Sequence, residues 1–464
     1  MPTTTAKKNS STVTDGAASE QESSERLTML SGLASDVLAR CGQRGARQAE
    51  VGLSEDRGLE VNVRLDEVET LQYRRDRGLS LTVYFGQRKG SASTADFDSD
   101  SIATTIEQAC AIARHTEEDD CAGLADAALM ARETRDLDLW HPWSIDADRA
   151  VELALRCESA GRSFDSRIAN SDGASVSTGS SLSVYANSHG FVGAERSTSH
   201  SISCSLIGGS GDGMQRDYWY DAACAAGDLA SAEVIGAEAA RRTLARLEPR
   251  SLKTGDYPVL FAAEVARSLI GGLLGAVSGG AQYRRASFLL DAVGQRVLPA
   301  GIDLIERPHL RRGHRSAAFD DEGVATTDRP LVTDGVLQRY LLGSYSARKL
   351  GLTSTANAGG AHNLEISLGA EGLSGLIRGM GRGLLVTELM GQGANTLTGD
   401  YSRGAAGFWV ENGEIAYPVD ELTIAANLRD MLLGIEAIGC DIDSRSHIRC
   451  GSILVGRMMV AGEG

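Results

Sequence analysis

The sequence predicts an α+β protein of two domains, an N-terminal mixed α/β domain with antiparallel sheets and a β-rich C-terminal domain. Three features point there. Apolar residues recur with a helical period in some segments and alternate with polar residues in others. Glycine is abundant, at 54 of 464 residues, while aromatic residues make up only 5%, a balance that favours tight turns and hairpins over a long helical bundle. The stretch Pro249-Arg-Ser-Leu-Lys-Thr-Gly255 divides a half in which helices and strands alternate from a half dominated by turn-separated apolar strands.

Residues 1–24 are rich in Ser, Thr, Ala and Glu and poor in large apolar side chains, so this segment buries too little surface to offset its ordering entropy and is expected to be a disordered tail. The N-terminal domain is assigned to residues 25–248. It opens with an amphipathic helix on Leu27, Leu30, Leu33, Ala34, Val37 and Leu38. From Gln48 the period changes to two, through Ala49, Val51 and Leu53, then Leu59, Val61 and Val63, then Glu67 to Tyr73 and Leu79 to Phe85. These segments predict three or four antiparallel strands with Arg74-Arg-Asp-Arg-Gly78 as a turn. A helix returns from Ser99 to His115. A second block follows, with a helix over Asp146 to Ala160, strands over Ile168 to Ser177, Ser181 to Asn187 and Ser197 to Ile207, and turns at Asp172-Gly173 and His189-Gly190. A long Ala-rich helix is predicted over Ala222 to Leu247. The repeated order of helices and strands suggests a duplicated α+β unit. In the C-terminal domain, residues 249–464, Asp334-Gly335 and Asn412-Gly413 lie between alternating runs and predict hairpins, and Ala263 to Ser278 reads as a buried helix.

The formal net charge is -16, which repels phosphate backbones and argues against a nucleic-acid partner. The densest basic stretch, Arg307-Pro-His-Leu-Arg-Arg-Gly-His-Arg315, reads as a solvated hairpin flank. Eight scattered cysteines form no CxxC and are expected to be reduced thiols. No apolar run is long enough to span a bilayer, and no apolar segment follows Lys7 and Lys8 to make a secretory signal. The expected location is the cytoplasm.

No HExxH or HExxxH occurs among the eight histidines. His309 and His314 sit among arginines, which oppose metal binding, so they read as ordinary turn histidines. No GxSxG elbow is present. Two loops stand out. Asn357-Ala-Gly-Gly-Ala-His-Asn363 could bind a peptide backbone through His362 and Asn363, or be a turn with a hydrogen-bonded histidine. Thr398-Gly-Asp-Tyr-Ser-Arg-Gly404 gathers Asp400, Tyr401 and Arg403, either as a site loop or as a turn capped by Asp400. The Gly208-Gly-Ser-Gly-Asp-Gly213 loop lacks the lysine and helix start of a phosphate cradle.

Several segments together resemble the PmbA/TldE branch of the TldD/PmbA family. They include Arg74 to Tyr84, Arg88 to Ser93, Ala276-Val-Ser-Gly-Gly280, Ser287-Phe-Leu-Leu-Asp291, Ala318 to Val324, Gly335 to Leu342, Asn357 to Asn363, Gly399 to Gly407 and Gly451-Ser-Ile-Leu-Val455. The resemblance covers nearly all of the chain beyond the tail. It implies a subunit of a heterodimeric metalloprotease that trims or degrades short, unfolded peptides. Zinc sits in the TldD-like partner, on an HExxxH helix with a distant cysteine. Here the matching helix is Ser268-Leu-Ile-Gly-Gly-Leu-Leu-Gly275, with Ile270 and Gly275 at the histidine positions and Gly271 at the glutamate position. Cys450 lies roughly where the thiolate would be sought. The resemblance thus implies no metal and no catalytic residue in this chain, and His362, Asn363, Asp400, Tyr401 and Arg403 as lining of a peptide chamber. Two alternatives stand beside it: a stand-alone peptide-binding or regulatory homodimer, and a self-sufficient hydrolase using His362, Asp400 and Tyr401.

Overall fold

The computed structural model describes residues 20–133 and 135–462. The N-terminal half contains helix α1 (Glu20–Gln43), strands β1 (Gln48–Arg64), β2 (Glu67–Phe85) and β3 (Arg88–Thr94), and helix α2 (Ser99–His115). The same order follows again in α3 (Ala147–Arg162), β4 (Ile168–Asn187), β5 (Val192–Gly208), β6 (Gln215–Ala223) and α4 (Ala232–Ala245). All six strands form one antiparallel sheet in the order β3-β2-β1-β4-β5-β6. The duplication suggested by the sequence is therefore visible in the topology: two helix–three strands–helix units join where β1 pairs with β4.

Side-chain alternation decides what covers this sheet. Val51, Leu53, Leu59, Val61 and Val63 of β1 point to one face and are buried. One end of that face packs under α1 and α2, the other under α3 and α4. Every helix of this half lies on the same side. The opposite face carries a run of small polar residues, with Ser175, Ser177 and Ser181 of β4 opposite Ser203, Ser201 and Ser197 of β5.

Four local features differ from the sequence reading. Arg74 to Gly78 is no turn; β2 runs unbroken, and this segment pairs with Gly58 to Ser54 of β1. The polar run imitates a turn, but the real one is at Leu65 and Asp66, both at positive φ. Asp172-Gly173 is a bulge inside a 20-residue β4, with Gly173 at φ +105°. Residues 222–231 finish β6 and turn, so α4 starts only at Ala232, capped by Ser231. Finally, α1 begins at Glu20, inside the segment expected to be a disordered tail. Its first turn is held because Arg196 reaches back to the Glu20 carboxylate at 2.8 Å and to the Ser23 hydroxyl at 2.9 Å. The rest of the expected tail, residues 1–19, lies outside the described residues.

The C-terminal half holds β7 (Gly255–Phe261), α5 (Ala263–Val277), α6 (Gly279–Tyr283), β8 (Leu304–Glu306), β9 (Arg329–Thr333), β10 (Val336–Leu337), α7 (Ser344–Leu350) and β11 (Leu364–Ile366). It continues with α8 (Leu373–Met380), β12 (Gly383–Met390), β13 (Asp400–Glu411), β14 (Glu414–Asn427), α9 (Leu428–Leu433), β15 (Ile435–Ile438), β16 (Ile448–Arg449) and β17 (Ile453–Ala461). One sheet runs β14-β13-β12-β7-β17-β15 and closes on itself through a β14–β17 pairing; the other runs β10-β9-β8-β11-β16. The predicted hairpins at Asp334-Gly335 and Asn412-Gly413 are present, each with both residues at positive φ, as a two-residue turn between twisted strands requires.

Helices α3 and α4 cross at glycines. A Cβ on Gly236 would sit 2.0 Å from the Cys157 carbonyl oxygen, and one on Gly161 would sit 2.9 Å from that of Gly236. Gly236→Ala should therefore cost about 1–3 kcal/mol by forcing the helices apart. Gly32→Ala in α1, where a Cβ meets nothing within 4 Å, should instead stabilise by about 0.5–1 kcal/mol. Urea unfolding of both variants checks the pair.

Candidate functional site

Helix α5 is where the sequence resemblance would look for chemistry. Its apolar residues Ala266, Leu269, Ile270, Leu273, Ala276 and Val277 are buried in the main C-terminal core. Ile270 thus points inward and offers no donor atom. Gly271 and Gly275 lie on the opposite, open side. A Cβ on Gly271 would meet nothing within 4 Å, and one on Gly275 only the Thr396 hydroxyl at 3.7 Å. Cys450 is fully buried, and burial pushes its thiol up to about 12, whereas a metal takes the thiolate. No group of three or more His, Cys, Asp or Glu side chains among the described residues is placed to hold a metal ion. The residues present at this helix do not fit zinc.

The larger feature is a cleft of about 1090 Å³ between the helix-free face of the N-terminal sheet and two C-terminal loops. The sheet contributes Glu50, Ser54, Ser80, Thr82, Ser183, Tyr185 and Glu195; the loops contribute residues 314–322 and 358–362, including His362. The walls are tied together from both sides. Phe191 and Phe319 meet edge-on at 5.2 Å, the Arg348 guanidinium donates to the carbonyls of Cys121, Gly123 and Leu124, and Arg312 bridges Asp138 and Asp228.

The His362 loop hangs on one buried carboxylate, Glu306, at the end of β8. Its Oε1 accepts from the His362 backbone N–H at 2.7 Å, from His362 Nδ1 at 3.1 Å and from Asn357 Nδ2 at 2.8 Å. Its other oxygen accepts from Arg339. Burial alone would raise this carboxyl, but the His362 hydrogen bonds and the Arg339 charge outweigh it and hold the group at about 2. Asn363 is also buried and fully engaged. Its amide donates to the Arg307 carbonyl and the Ser316 hydroxyl, and its oxygen accepts the Arg315 N–H at 2.9 Å. It pins residues 307–316 and does not open into the cleft. Those residues make successive turns rather than a solvated hairpin flank, because their arginines find carboxylates: Arg307 pairs with Glu365 and Asp328, and Arg311 and Arg312 with Asp138.

The cleft is acidic, and its carboxyls are reluctant to ionise. Burial raises Glu195 to about 7, with Asp321 adding to it. Burial raises Asp320 to about 6 against backbone hydrogen bonds that pull it down. Burial also raises Glu50, although it accepts from the Tyr84 and Tyr185 hydroxyls at 2.9 Å each. Near neutrality a carboxyl at about 7, as Glu195 is, both donates and accepts hydrogen bonds, which suits a peptide main chain. Sequence reasoning missed this acidic wall. Its members are far apart along the chain, and only the period-two alternation of β1, β4 and β5 hinted that Glu50, Tyr185 and Glu195 share a face.

The other sequence candidates lie elsewhere. Asp400 is exposed and accepts from the Thr398 hydroxyl at 2.7 Å. Tyr401 is buried in the core with its hydroxyl unpartnered. Arg403 lines a separate cavity beside α5. The structure does not bring Asp400 or Tyr401 to His362, so the three do not form a catalytic group.

Comparison with known proteins assigns the architecture. Family models for the PmbA/TldA metallopeptidase match in three parts: domain 1 over residues 49–113, the central domain over residues 140–247 and the C-terminal domain over residues 254–462. The chain is 50% identical over 417 residues to "Metalloprotease PmbA" of Escherichia coli O157:H7, covering 89% of this chain and 92% of that one. The chain belongs to the PmbA/TldD family, on its PmbA/TldE branch. A Haemophilus influenzae "Metalloprotease PmbA homolog" is 47% identical over 90% of this chain and 93% of its own. A crystal structure from Bacteroides thetaiotaomicron, named for a modulator of DNA gyrase, superposes with a TM-score of 0.88 at 29% identity, covering 93% of this chain and 98% of that one. The family's TldD side is represented more distantly, by a "Zinc metalloprotease TldD homolog" of Saccharolobus solfataricus that is 26% identical over 218 residues, 44% of this chain and 49% of that one.

Glu306→Gln should lower stability by about 3 kcal/mol at pH 7, because it leaves the Arg339 charge without its buried partner. The folded carboxyl at about 2 lies below its unfolded value of about 4.3. The stabilisation is therefore complete above the unfolded value and is lost as pH falls toward the folded one. Urea midpoints measured from pH 7 down to pH 3 should show wild type and variant converging as the pH drops.

Proposed function

We propose that this chain is a non-catalytic subunit that joins a TldD-like, zinc-bearing subunit to form a cytoplasmic protease for short, unfolded peptides. The observation that carries the reading is helix α5. At the positions where the family's protease chemistry would need two histidines and a glutamate it has Ile270, turned into the core, and Gly271 and Gly275, which bear no side chain. Peptide hydrolysis by this route needs an activated water and a stabilised oxyanion, both supplied by the metal. None of these three positions can hold that metal, and the one carboxylate on α5, Glu264, is paired with Arg242, so the chemistry belongs to the partner.

What this chain supplies is enclosure. The cleft's sheet face and its glycine-rich loop at residues 358–362 form one wall of the chamber. The raised carboxyl of Glu195 can hydrogen-bond an extended main chain whatever its sequence. All eight cysteines are free, in keeping with a reducing compartment. No helix among the described residues is long and apolar enough to cross a membrane.

A quenched fluorescent unstructured peptide, incubated with this chain, with a TldD-like subunit and with both, tests the reading. This chain alone should not cleave it, and the mixture should cleave it severalfold faster than the partner alone. Chelator-resistant cleavage by this chain alone, or a partner rate that this chain does not change, would overturn the assignment. The second outcome would favour the stand-alone peptide-binding homodimer.

A further inference from the structure

Beside the open face of α5 lies a second cavity, of about 250 Å³, between β6, α5 and the β12–β13 pair. Its lining includes Tyr220, Arg267, Ser268, Thr387, Arg403 and Arg445. The charges around it are matched almost throughout. Asp217 is met by Arg242 at 3.4 Å and Arg246 at 3.8 Å, Glu264 by Arg242 at 2.8 Å, and Glu388 by Arg246. Asp443 is met by Arg445 at 2.8 Å and Arg267 at 3.7 Å. Arg403 is the exception: among the described residues no carboxylate pairs with it.

A further observation bears on the same place. Arg403 Nε and the Thr387 hydroxyl, both at this cavity, are buried without a hydrogen-bond partner. A guanidinium held without a counterion in a partly enclosed cavity gains from an anion that completes it. A carboxylate is the matching anion, since its two oxygens suit the guanidinium fork.

We propose that this cavity binds the C-terminal carboxylate of a short peptide, with Arg403 as the anchoring cation. The choice of a peptide as ligand rests on the function proposed above. The cavity is about a quarter the size of the main cleft, so it takes a chain end rather than a crossing strand. The rings of Trp219 and Tyr220, both in its lining, offer apolar surface to the last side chain. Arg445 already stacks on both rings, at 4.0 and 4.5 Å from their centres, which holds them in place.

The test uses the full chain and an N-terminally labelled, unstructured peptide in three forms: free acid, C-terminal amide, and amide with an internal aspartate. Polarisation titrations should show the free acid binding wild type about tenfold or more tightly than either amide, the difference expected for charge-assisted hydrogen bonds. Arg403→Gln should bind all three equally and weakly, while Arg403→Lys, which keeps charge but not the fork, should retain part of the preference. If Arg403→Gln does not fold, the Arg403→Lys result alone decides. Equal binding of acid and amide to wild type, absence of binding, tight binding of the aspartate amide, or a preference that survives Arg403→Gln would each overturn the proposal. The cleavage assay separates the two readings: unchanged partner activity alongside a clear acid preference sinks the subunit role and leaves the site, whereas stimulated cleavage without the preference sinks only the site.

Discussion

A sheet whose strands alternate strictly between apolar and polar residues can be covered by helices on one side only. In this chain that constraint governs the whole N-terminal half. Val51, Leu53, Leu59, Val61 and Val63 commit one face of β1 to the core, and neighbouring strands extend that commitment across the sheet. The duplicated unit repeats it, so α1 to α4 all pack on the same side. The other face is then left polar, with paired serines from β4 and β5 and no helix of its own. It becomes the floor of the cleft, and the C-terminal half is what closes over it.

The closing loops have little regular structure to hold them, and buried polar groups do the holding. Glu306 gathers His362, Asn357 and Arg339, and Asn363 fastens the loop of residues 307–316 to the same corner. Removing one partner from such a group leaves the others buried and unsatisfied. This is why His362, which the sequence offers as a peptide-backbone binder or a hydrogen-bonded turn histidine, is better described as a strut: its Nδ1 and its backbone N–H both point at Glu306. Asp320 is a strut too, its two oxygens accepting from the N–H groups of Glu322, Val324 and Ala358, whereas Glu195 and Glu50 line the space and burial makes them weaker acids there.

Much of the fold was legible because periodicity and turn chemistry are local. The two hairpins with Asp-Gly and Asn-Gly, the buried α5 and the repeated α/β order all follow from residues close in sequence. The misreadings came where tertiary pairing overrides local composition. Arg74 to Gly78 looks like a turn yet is held extended by its pairing with β1, and Asp172-Gly173 is absorbed as a bulge. Glu20 to Ser24 looks like tail yet is drawn into α1 by Arg196, more than 170 residues away. The site was less legible for the same reason. Its acidic wall comes from β1, β5 and the loop near Asp320, and no window of sequence contains more than one of these. What the sequence did carry was the composition of α5, where Ile270, Gly271 and Gly275 stand without donor atoms.

The central claim is that this chain builds a protease chamber wall without holding the metal. The donor-free positions 270, 271 and 275 of α5, the buried Cys450 thiol and the cleft all bear on it. Zinc content measured by elemental analysis, after the isolated chain is expressed with zinc in excess and passed through gel filtration, tests the claim most directly. The account predicts far less than one zinc per chain. A tightly held zinc at about one per chain, the amount a catalytic site would bind, would contradict it.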